Sequence, residues 1–216
     1  MGRMKRLFLS LCVLVALIGE AQPLSEATVR AALTPLGEID INVLKAMGPA
    51  ALPHLVRIYK STPDENARAT YAWVFYSLGL KSPEARAALL QDVGTQNEKL
   101  RMQVQWALGR VSDDTQVVDI LAGIMRNDAN PLFRDKAACA LAYDQIHLTE
   151  RQKVQLYGKL IEALSDPKEQ VRAIAILALQ IHTGQDKGFE PHGSAEERKR
   201  AIAAWTRWLA EYEKNL

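Results

Sequence analysis

Asp64-Glu-Asn-Ala-Arg68, Asn97-Glu-Lys-Leu-Arg101, Asn130-Pro-Leu-Phe-Arg134 and Lys168-Glu-Gln-Val-Arg172 are four versions of one phrase. Their arginines stand 33, 33 and 38 positions apart. Six and seven residues after each arginine the chain reads Val74-Phe75, Ala107-Leu108, Ala140-Leu141 and Ala178-Leu179. A small residue followed by a large one at a constant helical phase is what close stacking of like helices requires. A period of 20–50 residues is the mark of a repeat architecture. Between the phrases apolar residues recur at helical spacing, and no stretch alternates with period two.

Start and stop signals divide each period into two helices. Pro49 after Gly48 opens a helix carrying Leu52, Leu55, Val56 and Tyr59, and Ser82-Pro83-Glu84 supplies an N-cap, a first-turn proline and an early carboxylate. Ser112 or Asp113 begins the helix through Val117, Ile120 and Ile124. Capping boxes are expected at Thr62–Glu65, Thr95–Glu98, Thr149–Gln152 and Ser194–Glu197, and left-handed C-caps at Gly79, Gly94 and Gly184. The unit is helix, turn, helix, four times over, after a partial unit from Ser25 to Met47.

Met47-Gly-Pro-Ala-Ala-Leu-Pro-His-Leu-Val56, followed by Asp64 to Gly79, resembles a HEAT repeat of the short bacterial type. Asp128 with Arg134, and Asp166 with Arg172, match the aspartate that such repeats carry six residues before the arginine; Thr62 and Thr95 stand there in the first two units. The resemblance spans about residues 38–184 and implies an all-α solenoid of about four HEAT-like helix pairs that binds a protein or peptide. The tail, Gly188-Phe-Glu-Pro191 followed by Trp205-Thr-Arg-Trp208, is similar to the segment that follows HEAT-like repeats in some bacterial exported proteins. Ile202, Trp205, Leu209 and Tyr212 share one face of its helix, which makes it a capping helix for the open end of the stack.

The first residues read as an export signal: Arg3, Lys5 and Arg6, then an apolar run from Leu7 to Gly19, then small residues around Glu20. Such a run reaches about 20 Å as a helix, short of a membrane core of about 30 Å. The expected organisation is a signal peptide over 1–21, a helical lead over 22–47, repeats over 48–184, and a turn with capping helix over 185–216. The expected location is periplasmic or secreted, with no stable membrane insertion after cleavage. Without residues 1–21 the 27 basic and 25 acidic residues become 24 of each, which disfavours nucleic acid as a partner. Cys12 leaves with the signal, so Cys139 is alone, mid-helix in an apolar run, where an inert packed thiol is expected.

Four groups of residues invite a function. Arg68, Arg101, Arg134 and Arg172 form a ladder, read as structural: each arginine bonds helix-start carboxylates and turn carbonyls, with Asp64, Asp128 and Asp166 as candidate partners. Trp73, Trp106, Cys139 and Leu177 recur five residues after the arginines; they suit a buried seam between repeats, or a tryptophan-floored groove for peptide or sugar. Positions one and eight after the arginine share a helical face and define the expected groove: Ala69 and Tyr76, Met102 and Gly109, Asp135 and Ala142. Tyr76 and Met102 are its expected contacts and Asp135 its acidic edge, facing a segment with a basic flank. Finally His182, Asp186, Glu190 and His192 surround one glycine-rich turn. They carry the rival reading, a lyase-like or metal-dependent enzyme. Yet no paired-histidine spacing, no nucleophile elbow, no phosphate loop and none of the His-Glu dipeptides of the HEAT-like deoxyhypusine hydroxylases is present, so neither catalysis, metal nor cofactor is expected. A third reading is a purely structural subunit of an envelope assembly.

Overall fold

A computed structural model describes residues 23–33 and 39–216; the expected signal peptide, with Cys12, lies outside the described residues. The described chain is helical, without a strand: α1 (Glu26–Leu33), α2 (Ile41–Met47), a 3-10 turn (Gly48–Ala51), α3 (Leu52–Ser61), α4 (Glu65–Leu78), α5 (Pro83–Gln91), α6 (Glu98–Val111), α7 (Thr115–Asn127), α8 (Pro131–Tyr143), α9 (Glu150–Ala163), α10 (Glu169–Thr183) and α11 (Ala195–Lys214). The helices stack in two rows. The even helices pack α2 on α4 on α6 on α8 on α10, and the odd ones pack α1 on α3 on α5 and α7 on α9 on α11. This is an all-α solenoid, and each ladder arginine sits in the first turn of an even helix.

The doublets explain the stacking. Val74-Phe75, Ala107-Leu108, Ala140-Leu141 and Ala178-Leu179 are all at most 1% exposed, so the small member admits the neighbouring helix while the large one fills the core. Gly109 marks the tightest approach: a Cβ there would lie 2.8 Å from the Asp144 carbonyl oxygen and 2.6 Å from Gln145 Nε2.

The capping chemistry differs from expectation in places. Thr149–Gln152 and Ser194–Glu197 form capping boxes. The other two expected boxes do not form: Asp64 and Asn97 are the N-caps, accepting from Asn66 N and Leu100 N. Both side chains reach a free amide of the first turn from nearer than the threonines. Thr62 Oγ1 instead donates to Ile58 O at 2.7 Å and Thr95 Oγ1 to Glu65 at 2.9 Å. Asp114, rather than Ser112 or Asp113, caps α7. Gly79 and Gly184 are left-handed C-caps, whereas Gly94 is not among the glycines with positive φ; α5 ends earlier, at Asp92.

At the C-terminus α11 continues the odd row against α9. The connection before it is tied to α10 and α11 at two points: Arg172 Nε donates to Pro191 O at 2.8 Å, and Trp205 Nε1 to Asp186 O at 3.1 Å. Phe189 of the same connection is buried. The cap is thus a half-repeat, with a helix in the odd position and a loop bonded to the last even helix.

Candidate functional site

Every ladder arginine bonds within the fold, although the buried Nε of Arg101 and of Arg134 finds no partner. Arg68 donates through Nε and Nη2 to Asp92 at 3.1 and 3.2 Å and through Nη1 to Thr62 O at 3.0 Å. Arg101 forms an ion pair with Asp128 and lies 4.1 Å over the Phe133 ring. Arg134 Nη1 donates to Asp128 O at 2.8 Å, and Arg172 Nη1 to Asp166 O at 2.8 Å. One part of the expectation is corrected: where a ladder arginine finds an aspartate carboxylate, it belongs to the loop of the following repeat. Asp64 is occupied with capping, and Asp128 and Asp166 offer their own repeat's arginine only a carbonyl. Their carboxylates turn back to Arg101 and Arg126 of the repeat before.

The open surface of the even row is not the expected one. Ala69, Gly109 and Ala142 of the expected face are buried, Gly109 against the Asp144 carbonyl, whereas Tyr76, Met102 and Asp135 of that face are half-buried. The exposed face carries positions two, five and nine, about 100° further round. Trp73 is 36% exposed, Leu177 51%, Tyr143 60% and Ile181 37%. The tryptophan position is open at Trp73 and Leu177 and half-buried at Trp106 and Cys139, so the reading as a buried seam is corrected at its two ends. Trp106 is half-buried beside Tyr76, with ring centroids 6.3 Å apart.

These side chains enclose two adjoining hollows. The larger, of about 410 Å³, is lined by Trp73 and Tyr76 of α4, Gln103 and Trp106 of α6, and Cys139, Tyr143 and Asp144 at α8. The second shares Cys139 and Tyr143 and continues along Asp135, Ile174, Leu177 and Ile181. So Trp73, Tyr76 and Trp106 come together, Asp135 stands at the neighbouring hollow, and Met102 lines neither. Two of the protein's own cations flank the rings: the Arg110 guanidinium lies 4.7 Å over Tyr76, and Lys136 Nζ lies 5.9 Å from the centre of the Trp106 ring. Each is paired, Arg110 with Asp144 at 3.5 Å and Lys136 with Asp135 at 2.9 Å. Burial raises the Cys139 thiol above its ordinary value, as befits an unreactive group.

Asp144, Gln103 and Tyr143 were not singled out in the sequence. Burial pushes the Asp144 carboxyl up to about 6, against the opposing pull of Arg110. The folded protein therefore binds this proton more tightly than the unfolded chain, and stability falls as pH rises from about 4 through 6. Two units correspond to roughly 2–3 kcal/mol lost above that range. Asp144→Asn is expected to unfold at a higher temperature than the parent at pH 8, with the gap closing near pH 4. A gap of equal size at both pH values would refute the burial cost.

His182 and His147 serve the frame. His182 Nε2 is 2.9 Å from Leu141 O, and its ring meets Tyr157 edge-on at 5.8 Å. Burial holds its pKa below the ordinary value. His147 Nε2 lies 3.0 Å from both Gly79 O and Arg110 O. Among the described residues no group of three His, Cys, Asp or Glu side chains is placed to hold a metal. The His182–His192 turn thus assembles no ligand set, because His182 faces inward.

Stacked helix pairs with an open, aromatic face on one row define an α-solenoid repeat protein. Residues 52–142, from α3 to the end of α8, match the family model of the HEAT repeats. Such repeats generally mediate protein–protein interaction. No curated protein matches the chain. Among the described residues no helix is long and apolar enough to cross a membrane.

Proposed function

We propose that this protein is a non-catalytic adaptor of the bacterial cell envelope that binds a protein or peptide partner along the open face of its even helices. The observation that carries the reading is the set of exposed apolar side chains, Trp73 of α4, Tyr143 of α8 and Leu177 and Ile181 of α10, with half-buried Trp106 of α6 between them, around two joined hollows. Scattered exposed apolar residues are ordinary, but a contiguous strip across several elements marks an interaction surface. The ladder arginines bond within the fold and His147 and His182 lie against backbone carbonyls, so neither set competes with this strip for a partner. The charge-then-apolar order of residues 3–19 supports the envelope setting.

The test is affinity capture from envelope extract with the parent protein and with Leu177→Arg, read by quantitative mass spectrometry. Leu177 is half exposed, so a charge there is expected to leave thermal unfolding within about 2 °C of the parent. Co-purifying proteins should fall at least tenfold with the variant. Equal capture by both would remove the groove from the reading. For the envelope setting, the chain isolated from its host should begin near Gln22; an intact Met1 in a soluble cytosolic fraction would overturn it.

A further inference from the structure

The cation that covers Tyr76 is loosely held. Asp144 is the one carboxylate paired with Arg110 among the described residues, and it lies 3.5 Å away, where strong charge-assisted bonds run to about 2.7–2.9 Å. The buried Nε of Arg110 has no partner. A guanidinium carries five N–H donors, so this one has capacity to spare beside the larger hollow. The pair is also lopsided: the Arg110 side chain is 29% exposed and that of Asp144 only 5%. An anionic group of a guest can reach the guanidinium, whereas a cationic group finds little of Asp144 to meet.

The remaining lining narrows the choice. Asp135, the acid expected to meet a basic flank, is already paired with Lys136 of its own helix at 2.9 Å. Aromatic rings make up most of the larger hollow, and aliphatic side chains continue it at Ile174, Leu177 and Ile181, so the body of a guest must be apolar. Gln103 Oε1, buried and unpartnered at the same hollow, can accept an N–H, which a peptide main chain has and a fatty acid lacks. One reachable guanidinium matches one carboxylate. A phosphate dianion would call for a second cation, and Lys136 is engaged.

We propose that this groove takes a segment of a partner protein in which an aspartate or glutamate stands beside large apolar residues, its carboxylate pairing with Arg110 in place of Asp144. The proposal rests on the groove assigned above and adds the charge of its occupant. The exchange has a consequence for protons. Burial already pushes the Asp144 carboxyl up to about 6, and Arg110 opposes that rise. A guest that draws Arg110 away removes the opposition, so Asp144 takes up a proton as the guest arrives. By linkage, affinity rises as pH falls from 8 toward 6 and levels off once Asp144 is protonated in the free protein. The other ionisable groups around Asp144 are Cys139 of α8 with the Lys136–Asp135 pair beside it, Tyr76 of α4 under the guanidinium, and His147 of its own loop, whose Nε2 lies 3.0 Å from Arg110 O. Replacing Asp144 separates its proton from theirs.

The probe is a fluorescently labelled twelve-residue peptide with Trp-Glu-Leu at its centre and glycine and serine on either side. It is titrated by anisotropy into the full chain at pH 6 and pH 8, beside versions with Gln or Lys in place of Glu. The expected result is saturable binding at pH 6, at least tenfold weaker for the Gln peptide, weaker still for the Lys peptide, and at least tenfold weaker for the Glu peptide at pH 8. Asp144→Asn should bind the Glu peptide at pH 8 as tightly as the parent does at pH 6. The double variant Arg110→Met/Asp144→Asn strands no charge and should bind the Glu and Gln peptides alike. The proposal is overturned by absent binding of the Glu peptide, by equal affinity for the Gln or Lys version, by a preference for Glu that survives in the double variant, or by affinity that does not change with pH. A selection of random peptides on the same protein separates the two levels. Selected binders that lack acidic residues but depend on Trp73 leave the groove reading standing and sink this proposal. Selected peptides indifferent to Trp73→Ala and Leu177→Arg sink both.

Discussion

Trp205→Ala is expected to detach the C-terminal cap and to cost about 3–5 kcal/mol, the range for removing a large buried aromatic ring. Trp205 is 0% exposed and meets Trp208 edge-on at 5.3 Å. Its indole N–H also holds Asp186 O, so one side chain fastens both the helix and the loop of the half-repeat. Without it, α11 loses its purchase on α9, and the ring cluster of Tyr157, Trp208 and Tyr212 opens to water. For a chain of this length the loss corresponds to a fall in Tm of roughly 10 °C. Repeats are coupled mainly to their neighbours, so the damage should be graded along the stack. Amide hydrogen exchange should show protection lost in α11 and reduced in α9 and α10, with α4 and α6 nearly unchanged. Trp205→Phe keeps much of the buried area and should lose less than half as much. If Trp205→Ala melts within about 2 °C of the parent, the tail is an appendage rather than a cap.

How far the sequence discloses these features depends on the precision each one needs. The repeat was legible because the doublets at positions six and seven must be buried together, and any helix phase that buries Phe75 also buries Leu108, Leu141 and Leu179. The groove needed the phase to within one residue, and one residue is 100° of rotation. Small residues at Ala69, Gly109 and Ala142 suit a shallow open floor and a close helix contact equally well; only the 2.8 Å approach of the Asp144 carbonyl to a Cβ on Gly109 decides between them. Large apolar residues at Trp73 and Leu177 mislead in the opposite sense, since a binding face and a core are built of the same side chains. The carboxylate partners of the ladder are hidden for a different reason. Asp92 is 24 residues after Arg68, and Asp128 is 27 after Arg101. In stacked hairpins the nearest carboxylate in space comes from the next unit, while sequence proximity suggested one in the same turn. Asp144 carries no sequence signal at all, because its burial is a consequence of the tight contact at Gly109.

The cross-repeat pair yields the second large effect. Asp128 has two tasks: one carboxylate oxygen accepts from Asn130 N at 2.9 Å, shaping the entry to α8, and the other pairs with Arg101 of α6. The two side chains are only 10% and 14% exposed, so removing the carboxylate leaves a guanidinium largely cut off from water with no counter-charge. Breaking one partner of such a pair is costly because the survivor stays desolvated; about 3–5 kcal/mol is usual for full burial, and about 2–4 is expected here. Asp128→Ala should therefore lower the midpoint of urea unfolding far more than Asp64→Ala. Asp64 makes the same kind of turn bond to Asn66 N but pairs with no arginine, and its loss should cost about 1 kcal/mol. Arg101→Met removes the stranded charge while keeping a long apolar stem over Phe133. The double variant Arg101→Met/Asp128→Ala should then recover part of the loss, with a coupling of about 1–3 kcal/mol in the cycle. Equal costs for Asp128→Ala and Asp64→Ala, with no coupling to Arg101, would mean that the ion pair contributes nothing. The repeats would then be joined by their apolar faces alone.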